Sequence, residues 1–268
     1  MKIRFLGVGG ASCGADQYQS NLLIRGQAGR RLLIDCGGDI RFSLAEAGYG
    51  PGDIDSVYIS HLHGDHIGGL EWLAFSCRFR QHPRRPALLS STSNFQRIWD
   101  QGLRAGLELV DGGRLSLSDY FALYPLTWGF LWDGILAEMI KMPHVLAGDR
   151  EHPSFGLILQ QGTGPAAFIT TDTRFAPEIL LPIANRVELI LHDCETSRIP
   201  SGVHAHYSEL CGLPEAVKNK IWLYHHTPVP NLDPRADGFL GMAHKGQEFH
   251  LAAIKDFVQQ PAITQEID

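Results

Sequence analysis

His61, His63, Asp65 and His66 crowd into the run Ser60-His61-Leu62-His63-Gly64-Asp65-His66. Three imidazoles and a carboxylate in one short loop have no ordinary use in a hydrophobic core, because each would need its own buried polar partner. A metal ion is the simplest partner for all of them. Histidine nitrogen and aspartate oxygen suit zinc, manganese or iron, and the alternation along the loop lets His61 and His63 face one ion while Asp65 and His66 face another. Gly64 is expected to supply the backbone freedom of so tight a loop.

The elements that must hold these groups are legible on either side. Ile54-Asp55-Ser56-Val57-Tyr58-Ile59 reads as a buried strand leading in, and Ile67 to Phe75 as a helix leading out, with His66 in its first turn. A loop clamped between strand and helix fixes its side chains with the precision a site needs. Other apolar runs also end on polar groups. Leu32-Leu33-Ile34 ends on Asp35, Ile135 to Met142 on Pro143-His144, and Ala166 to Thr170 on Thr171-Asp172-Thr173 before a helix start at Ala176-Pro177-Glu178. Val187 to Leu191 delivers His192-Asp193-Cys194-Glu195, and Lys220 to Tyr224 delivers His225-His226. Ile3 to Val8, Asn21 to Ile24 and Phe155 to Gln160 are further strands, and Asn21 to Ile24 makes a hairpin with Arg31 to Asp35. Asp39 to Ala47 is helical, Phe121 to His144 holds two strands, and a closing strand at Gly246 to Leu251 precedes a C-terminal helix.

A chain of 268 residues, 44% hydrophobic, can bury a substantial core, and no linker or charge run divides it, so one domain over residues 1–268 is expected. The net charge of −6 argues against a surface built throughout to hold nucleic acid. A local positive excess nevertheless follows the histidine loop, at Arg78, Arg80, Arg84, Arg85, Arg97 and Arg104, opposed only by Asp100. The five cysteines include no Cys-x-x-Cys pair, which fits a reducing cytoplasm better than a disulfide framework or a zinc ribbon. No stretch is apolar over the length a bilayer requires, and the expectation is a cytoplasmic protein with no membrane partner.

The His-x-His-x-Asp-His run resembles the signature of the metallo-β-lactamase superfamily. That resemblance implies an α/β fold of the αββα type, two mixed sheets packed face to face with helices outside, and a metal cleft at the sandwich edge. It implies His144 as a third ligand beside His61 and His63, and His225 as the last ligand beside Asp65 and His66. Asp172 would bridge the two ions, and Asp35 would lie beneath the loop holding a ligand in place. His225 is preferred to His226 because it directly follows its strand, as the family's final histidine does. Two divalent transition-metal ions are therefore expected, zinc first, with manganese or iron as alternatives. Such a pair makes hydroxide from a bridging water at neutral pH, and the reaction class is hydrolysis.

Within the superfamily, Gly202-Val203-His204-Ala205-His206-Tyr207-Ser208-Glu209-Leu210 is similar to the phosphodiesterase branch that includes ribonuclease Z and a small cyclic-phosphate phosphodiesterase. That branch carries a non-ligand histidine here, which implies His206 as the proton donor to the leaving oxygen, Asp193 as its orienting acid, and Asp65 with them in the catalytic set. His204 competes with His206 for the role. The interval from His144 to Asp172 has no room for the basic arm that grips transfer RNA, and His192-Asp193-Cys194-Glu195 departs from the His-Glu-Ala-Thr run of ribonuclease Z. The expected substrate is thus a small or cyclic phosphodiester, with RNA less favoured and a lactone or thioester as the alternative. Cys194 is assigned to core packing and not to a ligand set, and a homodimer is expected.

Overall fold

A computed structural model describes residues 1–80, 83–251 and 266–267. In chain order its strands are β1 (Lys2–Phe5), β2 (Leu22–Arg25), β3 (Arg31–Ile34), β4 (Ser56–Ile59), β5 (Ala87–Ser91), β6 (Leu109–Val110), β7 (Gly113–Arg114) and β8 (Ala122–Leu126). There follow β9 (Gly129–Trp132), β10 (Ile135–Ala147), β11 (Arg150–Gln161), β12 (Ala166–Ile169), β13 (Leu189–Asp193), β14 (Ile221–Tyr224), β15 (Gly241–Met242), β16 (Glu248–His250) and β17 (Glu266–Ile267). One sheet has the order β16-β1-β2-β3-β4-β5-β8 and the other β15-β14-β13-β12-β11-β10-β9-β17, while β6 and β7 pair apart. Both large sheets are mixed, with β3-β4-β5-β8 parallel in the first and β12-β13-β14-β15 parallel in the second.

Side chains on a strand alternate between faces, and here the alternation sorts the apolar residues into three layers. Ile3, Phe5, Leu32, Ile34 and Tyr58 of the first sheet meet Trp132, Leu157, Ile169, Leu191 and Tyr224 of the second in a core between the sheets. The opposite faces of the same strands present Leu33, Val57 and Ile59 to helices Ile40–Glu46 and Leu70–Arg78. Phe168, Ile190 and Leu223 pack on helix Pro177–Ala184 on the far side. This is the αββα sandwich. Two polar ties cross the central layer: the Trp132 indole donates to Ser56 Oγ at 2.9 Å, and the Tyr58 hydroxyl donates to the Phe155 carbonyl at 2.8 Å.

Several local expectations shift. The first strand ends at Phe5, three strands and not two lie between Phe121 and Ala147, and the expected C-terminal helix lies outside the described residues. The helix after the histidine loop is two pieces, a turn at Gly64–Ile67 and the longer Leu70–Arg78, because Gly68 and Gly69 interrupt it. Gly64 does not use the freedom expected of it. A Cβ there would meet nothing within 4 Å, and the tight approach is instead at Gly37, whose Cβ would fall 2.2 Å from the Asp65 carbonyl.

Strands β10 and β11 are far longer than the sheet they belong to. Among the described residues β10 pairs with β9 only from Ile135 to Glu138, and β11 with β12 only from Leu157 to Gln160, so beyond those residues the two form a ribbon whose ladder is its own. The register shifts between Met142 and Val145, which leaves Pro143 and His144 opposite Pro153 alone. A bulge of this kind turns a side chain out of the pleat, and this one aims His144 at the sandwich edge.

Candidate active site

Three short chain reversals deliver the polar groups to that edge. Asp35, Thr171 and His225, at or just past the ends of β3, β12 and β14, have φ of +62°, +53° and +63°, the left-handed region that costs a non-glycine residue about 1 kcal/mol or more. The bends end the strands abruptly and turn Asp35, Asp172 and His225 toward a common centre.

Around that centre three sets of groups each bring one nitrogen or oxygen per residue within 4.8 Å of one another: His61, His63, His144 and Asp172; Asp65, His66, Asp172 and His225; and Asp172, Asp193, His204 and His225. In the first set His61 Nε2 and His144 Nε2 lie 3.0 and 3.1 Å from His63 Nδ1. The other nitrogens are already committed, His144 Nδ1 donating to the Val203 carbonyl at 2.8 Å and His61 Nδ1 to Ser60 Oγ at 3.0 Å. Two lone pairs thus converge on one nitrogen that has at most one proton to give. Burial lowers the pKa of all three imidazoles, His144 to about 4, so they stand neutral and ready to ligate.

The second set is built on carboxylates. His66 Nδ1 donates to Asp35 Oδ2 at 2.8 Å, and the same carboxylate accepts from the Ser60 backbone and hydroxyl at 2.8 and 2.7 Å. That leaves His66 Nε2 without a hydrogen-bond partner among the described residues, 3.2 Å from Asp172 Oδ2 and 3.4 Å from Asp65 Oδ2. His225 Nε2 is 3.4 Å from the same two oxygens. Burial opposes a charge on His66, but the Asp172 and Asp35 carboxylates outweigh it and hold the ring protonated; a cation placed there takes over that positive charge. Burial likewise opposes ionisation of Asp172, and His225, His66 and His61 hold its carboxyl well below the usual range. Asp172 Oδ2 is also 3.7 Å from His61 Nε2 and 3.8 Å from His144 Nε2, while Asp172 Oδ1 is buried with no partner. Converging lone pairs, orphaned buried atoms and a shared central carboxylate fit divalent metal.

His204 and not His206 reaches this cluster. Its Nδ1 donates to Asp193 Oδ2 at 2.8 Å, and its ring lies along that of His225 with centroids 4.7 Å apart. Asp193, fully buried at the end of β13, also accepts from the Thr173 backbone at 2.8 Å. Burial works against a charged His204, but Asp193 and Asp172 raise its pKa to about 9. His206 instead caps helix Tyr207–Leu210: its Nδ1 accepts from the Ser208 backbone, and its Nε2 donates to the Ser197 carbonyl at 2.9 Å. The expectation for His206 is corrected on that ground, since the helix start takes up its ring. His226 turns to the Ala243 carbonyl, 3.2 Å from its Nε2. Cys194 packs in the outer core.

Half of the arginine excess is spent on neighbouring groups. Arg84 pairs with Asp55, Arg104 with Glu108, and Arg85 donates to the Ser118 carbonyl. Arg97 alone of these is found beside the cluster, its guanidinium 3.4 Å from His152 Nδ1. His152, absent from the sequence expectations, lies parallel to His63 with ring centroids 5.1 Å apart. It arrives there across the ribbon, as the register partner of Val145.

The profile of the family described as Anti-Pycsar protein Apyc1 matches residues 1–249. The chain belongs to that family. An Apyc1 protein of Paenibacillus harenae is 34% identical over 230 residues, covering 84% of this chain and 90% of the relative. Among solved structures, the metallo-β-lactamase fold protein YhfI of Bacillus subtilis superposes with a TM-score of 0.71 at 17% identity, covering 92% of this chain and 98% of YhfI. A diphosphatase of the PhnP family gives 0.69 at 16%, covering 93% and 97%. These likenesses carry the fold, and this Apyc1-family chain is a metal-dependent hydrolase of the metallo-β-lactamase fold.

Proposed function

We propose that the protein hydrolyses a cyclic nucleotide, using two divalent ions, zinc before manganese or iron. His61, His63, His144 and Asp172 would hold one, and Asp65, His66, His225 and Asp172 the other. Bound ions of this kind acidify water and stabilise charge on phosphoryl oxygens. The observation that carries the phosphodiester reading is the Asp193–His204 pair at the rim of the cluster. Opening a cyclic diester forms one P–O bond to the oxygen of water and breaks one to a sugar oxygen, whose alkoxide is a poor leaving group. The Asp193 and Asp172 carboxylates hold the His204 ring in its doubly protonated form, with Nδ1–H bound to Asp193, and Nε2 gives its proton to the alkoxide; the proton released by water restores the ring. A thioester, whose thiolate departs unaided, has no equal need of such an acid.

Two features of the surroundings belong to the same reading. The five cysteines are free, in keeping with a cytoplasmic protein, and no helix among the described residues is long and apolar enough to cross a membrane. Exposed Trp128 and Leu123 offer apolar surface to a second copy, and sedimentation of the purified protein checks the homodimer. The function itself is tested with metal-reconstituted protein against a nucleoside 3′,5′-cyclic monophosphate, a lactone and a thioester. The cyclic nucleotide should be turned over with the highest kcat/KM, and preference for either carboxyl substrate would overturn the reading.

A further inference from the structure

Beside His63 the cluster opens into a groove of about 570 Å³. One wall is the helix Thr92–Arg97 with the π-helical turn Ile98–Leu103 that continues it, presenting Arg97 and Gln101. The other is the tip of the β10–β11 ribbon, presenting Val145, Arg150 and His152.

The charge of this groove is not balanced from within. Arg97 donates to the neutral Gln101 Oε1 at 3.2 Å and faces His152, and among the described residues neither Arg97 nor Arg150 lies within ion-pair distance of a carboxylate. The acidic side chain in the wall, Glu151, is taken by Lys141 at 2.5 Å. In a chain of net charge −6, two guanidiniums left to a groove that begins at a metal-cluster histidine are available to a ligand. The groove also offers a flat face. The His152 ring lies within 7° of parallel to His63, with Val145 opposite it in the ribbon's register and lining the same groove.

We infer that this groove seats the nucleobase of the substrate, with the His152 ring as the face it lies against and Arg97 and Arg150 as donors to its acceptor edge. The inference rests on the cyclic-nucleotide reading above and names the part of the chain that selects the substrate. A planar heterocycle bearing carbonyl and ring-nitrogen acceptors matches a guanidinium fork beside an aromatic face, and a diester held at the cluster points its nucleoside outward. The contacts are made before and during reaction alike, so they act on binding and not on the chemical step.

The test compares a nucleoside 3′,5′-cyclic monophosphate with bis(4-nitrophenyl) phosphate, a diester without a nucleoside, in the metal-loaded wild type, Arg97→Ala and His152→Ala. Losing a hydrogen bond from a charged donor should lower the cyclic-nucleotide selectivity, as a ratio of kcat/KM values, by about tenfold or more, chiefly through KM. The dissociation constant of a nucleoside 3′,5′-cyclic phosphorothioate, measured by calorimetry, should weaken by the same factor. Equal losses on both diesters, or no change on either, would overturn the inference while leaving the hydrolase reading intact. If the wild type turned over neither diester, the hydrolase reading would fall, and equal binding of the phosphorothioate by wild type and Arg97→Ala would then overturn the groove as well.

Discussion

The two halves of the metal cluster are built from different materials. Around His61, His63 and His144 the outward nitrogens of His61 and His144 rest on neutral acceptors, the Ser60 hydroxyl and the Val203 carbonyl, and the only carboxylate is the shared Asp172. Around His66 and His225 there are Asp65 and Asp172 in front and Asp35 and Asp193 behind, Asp35 bonded to His66 and Asp193 Oδ1 3.4 Å from His225 Nδ1. One half is a neutral imidazole nest, the other a negatively charged one. The halves should therefore hold their ions with unequal strength, the carboxylate half keeping a cation longer and tolerating a harder one.

Asp172→Ala removes the oxygen both halves share, and the largest loss is expected there: both ions gone by elemental analysis and activity down by at least about a thousandfold. Retention of one ion would break the symmetry of the shared carboxylate and assign Asp172 to a single half. His204→Ala should leave both ions in place and slow a diester with an alkyl leaving group by about a hundredfold or more. A nitrophenyl diester should be slowed less, because its leaving group departs without a proton. His206→Ala should leave both rates nearly unchanged, and a reversed pattern between the two variants would restore His206 to the site. Asp35→Asn acts on the carboxylate half. It should weaken metal binding by about ten- to a hundredfold, and mainly in the carboxylate half, read by chelator competition with the wild type releasing its first ion from the imidazole half. The smallest effect belongs to His226→Ala, with metal content unchanged and stability lower by about 1 kcal/mol for the lost hydrogen bond to Ala243, measured by denaturant unfolding.

What the sequence made legible follows how local each arrangement is. The loop from His61 to His66 declares itself because its groups are neighbours in the chain, and Asp35, Asp172 and Asp193 because each ends an apolar strand. The ordering of His204 and His206 was not open to such reading. Both lie beside a buried Ala205, and the choice is made by the helix that begins at Tyr207 and takes His206 as its cap. His144 depended on a bulge that no local pattern announces, and His152 on the register of a long ribbon. The arginine excess is neutralised by groups no local pattern pairs with it: Asp55 and the Ser118 carbonyl are distant in sequence.

The ribbon tip and the sandwich are also under unequal structural constraint. Among the described residues the tip, from Val145 to His152, has no ladder partner but itself, whereas the cluster, His144 apart, is anchored at strands that are buried on both faces. Substitutions, or a change in the length of the turn at Gly148-Asp149, can therefore accumulate at the tip without disturbing the sandwich that holds the metal ligands. Lineages of this family are free to diverge in what they select while inheriting the same chemistry, and sequence variation among them should be concentrated at the tip and sparse at the strand ends.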